Sequence, residues 1–195
     1  VQIPSPSLLE AALTTRVTIE TSRLVLRLPQ AEDTEALIEI HHDPQAVKYV
    51  VFGTAPGGIT AAWRNIAMML GHWQLRGYGQ WTVIEKASGE VIGRVGLWHP
   101  EGWPGIDLGW IIRRSRWNNG FATEAARAAL DWTWQHIDTA HVISVIQPDN
   151  AASIRVAEKI GERFERKDSM NGADVLIYGV RRKTNTNGTS LDVAV

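Results

Sequence analysis

The stretch from Ile106 to Ala125 constrains the fold of this chain most. Ile106, Leu108, Trp110 and Ile112 alternate with Asp107, Gly109 and Ile111, a period of two that predicts a buried strand with one carboxylate beside a residue lacking a side chain. Phe121, Ala125, Ala128, Ala129 and Trp132 then recur at helical spacing, and the alanine-rich run from Ala122 to Leu130 favours a helix that can approach a sheet closely. The turn between them must present Asn118 to Ala122 as a helix N-terminus. Unpaired N–H groups and roughly half a positive charge at such an end attract anions, a pyrophosphate among them. No Gly-Lys-Ser/Thr follows the turn and no G-x-G-x-x-G occurs, so the P-loop and the dinucleotide fingerprint are both absent.

At 195 residues the chain predicts one domain with a sizeable core. A net charge of −1 argues against a dedicated nucleic-acid binder, which needs a basic surface. The absence of cysteine excludes disulfides, thiolate metal sites and a cysteine nucleophile. Six histidines, scattered apart from His41-His42, form no H-x-x-x-H pair, so no metal site is expected. No apolar run reaches membrane-spanning length and no leader pattern opens the chain, which predicts a cytoplasmic protein without membrane contact.

Residues 1–20 read as an N-terminal arm and 183–195 as a disordered polar tail, leaving a domain over 21–182. Within it, Arg23 to Leu28 alternates as a first strand. Helices follow over Ala31 to His42 and Thr60 to Arg76, the second with Trp63, Ile66, Ala67, Leu70 and Trp73 on one apolar stripe. Gln80 to Glu85 and Val91 to Trp98 form a hairpin around Ser88-Gly89. After the central strand and helix come a strand at His141 to Ile146, a helix at Ala151 to Ile160 stopped by Gly161, and strands at Arg163 to Arg166 and Val175 to Val180. The order is strand, two helices, three strands, helix, strand, helix, two strands.

This order, with the turn Trp117-Asn118-Asn119-Gly120-Phe121-Ala122-Thr123-Glu124-Ala125 and the segment from Pro148-Asp149-Asn150 through Ser153 to Gly161, resembles the GNAT superfamily of acyl-CoA-dependent N-acetyltransferases. It resembles most the branch containing the ribosomal-protein N-terminal acetyltransferases, over roughly residues 21–182. The family turn is written Arg/Gln-x-x-Gly-x-Gly/Ala. Gly120 and Ala122 match its last two fixed positions, while Trp117 replaces the first and Asn118 stands where glycine is frequent. Asn tolerates the left-handed conformation that such a turn requires.

The resemblance implies an α+β fold: a mostly antiparallel, splayed sheet of six to seven strands flanked by about four helices. It implies acetyl transfer from acetyl-CoA to a primary amine, on a protein N-terminus or a small molecule, by direct attack in a ternary complex. The strand from Ile106 to Ile112 would carry a bulge and part from the strand at His141 to Ile146. Coenzyme A would lie along Trp110, Ile111, Ile112 and Arg113, and along Trp117, Asn118, Asn119, Gly120, Phe121, Ala122 and Thr123, with Asn150 and Ser153 on the facing segment. A strand N–H near Trp110 or Ile111 would stabilise the oxyanion, and one of Arg113, Arg114 and Arg116 would complement the phosphates.

Deprotonating the acceptor ammonium calls for a base, because a protonated nitrogen has no lone pair. Asp107 occupies a position where relatives often carry glutamate; His99, after the end of the preceding strand, is the rival with the more suitable ordinary pKa, near 6.5. Ser153 matches the serine of the family's Asn-x-x-Ser, a general acid or sulfur contact, with a bond to its own helix backbone as the plain alternative, and Asn150 matches the asparagine, a pantetheine contact or a helix cap. Tyr178 is a further possible proton donor. Acceptor contacts are expected from Phe52, Trp98 and Trp103, with Glu101 facing a cationic amine. The protein would act as a monomer or homodimer. The competing class is an acyl-CoA-binding sensor or interaction module on the same fold that does not turn over.

Overall fold

The computed structural model describes residues 17–50 and 58–183. Residues 1–16 of the expected arm, the acceptor candidate Phe52 and residues 184–195 of the expected tail lie outside the described residues.

Eight strands form one sheet: β1 (Ile19–Glu20), β2 (Leu24–Arg27), β3 (Gln80–Glu85), β4 (Val91–Trp98), β5 (Asp107–Ile112), β6 (His141–Ile146), β7 (Arg163–Met170) and β8 (Ala173–Arg181). Their spatial order is β1-β2-β3-β4-β5-β6-β8-β7, antiparallel throughout except for the parallel pair β5 and β6. The helices are α1 (Thr34–His42), the single turn α2 (Pro44–Val47), α3 (Ile59–Arg76), α4 (Phe121–His136) and α5 (Ala151–Ile160). Among the described residues no helix is long and apolar enough to cross a membrane.

The two faces of the sheet differ in chemistry. Leu24, Leu26, Trp81, Val83, Val95, Leu97 and Leu108 pack with Ala125, Ala126 and Ala129 of α4 in the main core. The alanines let the helix backbone lie close to the strands, as their spacing predicts. Trp73, Trp81 and Trp132 close this core edge to face, with ring centroids 4.9 to 5.6 Å apart. The opposite face, toward α1 and α3, carries Thr82, Arg94, Trp98 and Asp107 with Gly96 and Gly109 between them, as the β3–β4 and β4–β5 registers require.

Three features depart from the expected pattern. The sheet has eight strands because Ile19–Glu20 pairs along β2, and the Trp81 indole, donating to the Val17 carbonyl at 2.6 Å, holds that edge in place. On α3 the buried positions are Ala62, Ile66, Met69 and His72, whereas Trp63 and Leu70 of the anticipated stripe are exposed. This helix is apolar on nearly every side, so spacing alone does not choose its inward face. Finally, β5 holds an unbroken register with β4 from Asp107 opposite Trp98 to Ile112 opposite Gly93, so the bulge implied for it is absent.

Candidate active site

The fork between β5 and β6 creates the site. The two strands meet at one register point, Asp107 opposite Ile143, where the Ile143 N–H donates to the Ile106 carbonyl at 2.9 Å. Two side chains then take over the ladder. The Val145 N–H donates to Asp107 Oδ1 at 3.1 Å, and the Ser144 hydroxyl donates to the Leu108 carbonyl at 2.8 Å. Backbone groups alternate sides along a strand. The Ile106 and Leu108 carbonyls point toward β6, so the N–H and carbonyl of Trp110 point the same way, into the gap that β6 has left. The Ile112 carbonyl also faces this side and accepts the Trp117 indole N–H at 2.7 Å.

Below the gap begins α4. Asn118 and Gly120 adopt left-handed backbone conformations, with φ of 61° and 80°. Asn manages this at modest cost and Gly at none, which permits the tight entry into the helix. Phe121, Ala122 and Thr123 form the first turn, whose N–H groups have no intrahelical acceptor. Gap and helix end open into one cleft of about 650 Å³, whose facing wall is Asn150, Ser153, Arg155, Val156 and Lys159 of the α5 segment.

Asp107, only 9% exposed, sits where the fork meets this cleft, its Oδ2 accepting the Trp103 indole N–H at 3.2 Å. Burial pushes its pKa up to about 7, against the pull of the Val145 and Trp103 hydrogen bonds and the Arg94 charge. Behind it lies Glu162, fully buried, with Oε1 3.0 Å from the Ser144 hydroxyl. Ser144 owns one proton, and the Leu108 carbonyl can only accept it. With the hydroxyl between two acceptors, a protonated, neutral Glu162 is the form that satisfies both contacts at once. Its pKa agrees, raised to about 8 mainly by burial and further by the charges of Asp107 and Glu165. On the floor of the cleft Arg94 is half-buried and donates to Gln80 Oε1, and burial lowers its pKa to about 10. His41 is held neutral nearby, its pKa lowered to about 4 by burial and then by the charge of Arg94.

Most sequence-predicted residues converge on this cleft. Trp110, Ile111, Ile112, Trp117, Asn118, Gly120, Phe121, Ala122, Thr123, Asn150 and Ser153 line it, as do Asp107, Trp98 and Trp103. Asn150 also caps α5 through its side chain, accepting the Ser153 N–H at 3.1 Å, so the two readings of that residue coexist. Asn119 turns away to donate to the Arg116 and Trp117 carbonyls. All three arginines before the turn are held by carboxylates: Arg113 by Glu39, Arg114 by Asp43, Arg116 by Glu85 and Glu90. His99 lies off the cleft, its Nδ1 3.2 Å from the Tyr78 hydroxyl and its N–H donating to His72 Nε2 at 3.0 Å. Glu101 is 94% exposed and pairs with Arg76 at the surface. Tyr178 packs against Phe164 and Ile146.

Sequence reasoning missed Arg94, Gln80, Glu162, Arg155 and Lys159. A single charge inside the apolar run Val91 to Leu97 was a readable signal for Arg94. Ala152, Arg155, Val156 and Lys159 share one helical face, which was readable too. Glu162, directly after the helix stop at Gly161, carries no local sign of burial.

A splayed sheet with a side-on cleft between two parallel strands and a helix N-terminus at its mouth defines an acyltransferase of the GNAT class. The sequence profile described as "Acetyltransferase (GNAT) domain" matches residues 23–163, and the chain belongs to that family. It is 32% identical over 166 residues to the uncharacterized protein YkkB of Bacillus subtilis (strain 168), covering 81% of this chain and 92% of YkkB. The crystal structure of an acetyltransferase from Agrobacterium tumefaciens str. C58 is 28% identical and superposes with a TM-score of 0.74, covering 85% of this chain and 94% of that one. RimL, a ribosomal L7/L12 alpha-N-protein acetyltransferase solved with coenzyme A, shares the fold at 16% identity, with a TM-score of 0.70 and coverage of 84% and 97%.

Proposed function

We propose that the protein transfers an acetyl group from acetyl-CoA to a primary amine, with both substrates bound together. The observation that carries this is the fork itself: Trp110 turns an N–H and a carbonyl into the gap where β6 parts from β5, in the same cleft as the N-terminus of α4. That gap suits an extended chain bearing amides, and the helix end suits a pyrophosphate. Gly109, with open space where a Cβ would stand, keeps the floor of the cleft clear. Arg155 and Lys159, exposed on α5 along the cleft, are placed to meet the phosphates that Arg113, Arg114 and Arg116, already ion-paired, are not.

When bound, acetyl-CoA supplies a thioester whose carbon–sulfur bond breaks as the acceptor nitrogen bonds the acetyl carbon. Asp107 takes the proton that the ammonium must lose, directly or through a water. A group with a pKa near 7 is divided between its acid and base forms at neutral pH, which is what a general base needs. The Trp110 N–H is the strand donor available to an oxyanion in the gap. Ser153, across the cleft, returns a proton to the departing sulfur.

Calorimetry with acetyl-CoA, followed by an amine panel monitored for free thiol, tests the reading. Saturable binding with thiol release for at least one amine is expected. Binding without release across a broad panel would leave a non-catalytic acyl-CoA module, and absence of binding would overturn both.

A further inference from the structure

We infer that the acceptor amine carries a carboxylate, and that Arg94 is the residue that selects it. The inference rests on the cleft being an acetyl-transfer site with its amine end at Asp107.

Three arginines line the cleft. Arg116 is held by Glu85 and Glu90, and Arg155 stands exposed on α5, where water screens its charge. Arg94 differs from both. It is half-buried on the sheet floor and donates to the neutral Gln80, and among the described residues no carboxylate lies within 4 Å of it. The neighbouring His41 is neutral. Asp107 feels the Arg94 charge from a distance, but its own oxygens are engaged by Val145 and Trp103. A desolvated guanidinium without a counter-ion is costly, and an anion arriving with the ligand removes that cost.

Register shows where that anion would lie. Arg94 stands opposite Ile111, but Gln80, which receives its N–H, stands opposite Gly96, itself opposite Gly109. The guanidinium is therefore drawn along the strands toward the Asp107 end of the cleft and sideways toward β3, close enough that the Arg94 and Asp107 charges act on each other. Two residues along the strands and one to two strand spacings across make about 9 to 12 Å, and a hydrogen bond of about 3 Å at each end leaves an amine and a carboxylate a few ångströms apart, as in an amino acid or an acidic N-terminal residue. Electrostatics elsewhere agrees. Glu101, the carboxylate expected to face a cationic acceptor, is at the surface with Arg76, so a polyamine would meet Arg94 with no compensating anion.

The test compares matched acceptors in the presence of acetyl-CoA: free amino acids against their carboxamides, peptides beginning with Asp or Glu against Asn or Gln, and spermidine. The expected result is a preference of at least about tenfold in kcat/KM for the carboxylate form, lost in Arg94→Gln and largely kept in Arg94→Lys, while the acetyl-CoA Kd stays within about twofold. Amino acids against peptides tells which source supplies the carboxylate. Equal rates for acids and amides, preference for spermidine, or a change in acetyl-CoA Kd as large as that in acceptor KM would overturn the inference. Should no amine turn over, calorimetry of the same pairs on the CoA-bound protein still decides. Acid binding that Arg94→Gln abolishes would support Arg94 while refuting turnover, and indifference to the carboxylate would refute Arg94.

Discussion

Replacing Glu162 with Gln isolates the buried proton behind the active site. A protonated Glu162 can donate to Ser144 while Ser144 donates to the Leu108 carbonyl, and an amide N–H can do the same, so the variant preserves the contact that reaches the fork. The carboxyl rises from 4.5 in the unfolded chain to about 8 when folded. Between those values the native state binds more protons than the unfolded one, so stability falls as pH rises through that window and the loss is complete above about pH 8. At about 1.36 kcal/mol per tenfold change in proton affinity, the shift caps the loss at roughly 4 to 5 kcal/mol, and relaxation around the ionised group reduces it. The amide brings its own cost of about 1 kcal/mol, since its second N–H adds a buried donor beside an oxygen that, like Glu162 Oε2, has no partner. Wild type should therefore be slightly more stable at pH 5, and the variant more stable by about 2 to 3 kcal/mol at pH 9. Urea denaturation at the two pH values measures both, and melting should shift by several degrees in opposite directions. Parallel stability–pH curves for the two proteins would refute a Glu162 that folds in its neutral form.

Further outcomes follow from the same geometry. Asp107→Asn should lower kcat/KM by about a hundredfold or more and flatten its rise with pH up to about 7, and an unchanged pH–rate profile would remove Asp107 as the base. Gly109→Leu places a side chain in open space on the cleft floor, so melting should hardly move while acetyl-CoA affinity falls about tenfold or more in calorimetry. Asp33→Ala removes the carboxylate that binds Arg27 at 2.6 and 2.8 Å, the Gln30 N–H and the Thr82 hydroxyl, and should cost about 3 kcal/mol at neutral pH. Burial raises the Asp33 pKa, but these partners outweigh it and hold the carboxyl below 3.8, so its contribution is present above that pH and vanishes as pH falls below it. Acid titration of wild type and variant should converge accordingly.

Much of this architecture is legible along the chain because it depends on local periodicity. Strands β3, β4 and β6 and helix α5 fall where alternation, the Ser88-Gly89 turn and the Gly161 stop put them. The left-handed Asn118 follows from the turn motif and from what asparagine tolerates. Local pattern says less about α3, whose apolar residues surround the helix, and nothing about a bulge in β5, which the resemblance implied and the register with β4 denies. His99 and Glu101 looked suitable as isolated residues, yet one is taken up by Tyr78 and His72 and the other by Arg76.

The sequence by itself determined the strand, the turn and the helix that make an anion-binding end beside a carboxylate, because those arise from neighbours within a few residues. Only the tertiary structure decided what the carboxylate and the cleft can do. Asp107 takes its raised pKa from burial, and its hydrogen-bond partners Trp103 and Val145 lie on a loop and a separate strand. Glu162 owes its raised pKa mainly to burial, against the pull of Ser144 on a separate strand. Among the described residues Arg94 has no carboxylate at ion-pair distance, because its neighbour diagonally across on β3 is the neutral Gln80. Charge and desolvation depend on distances in space, and a one-dimensional pattern does not contain them.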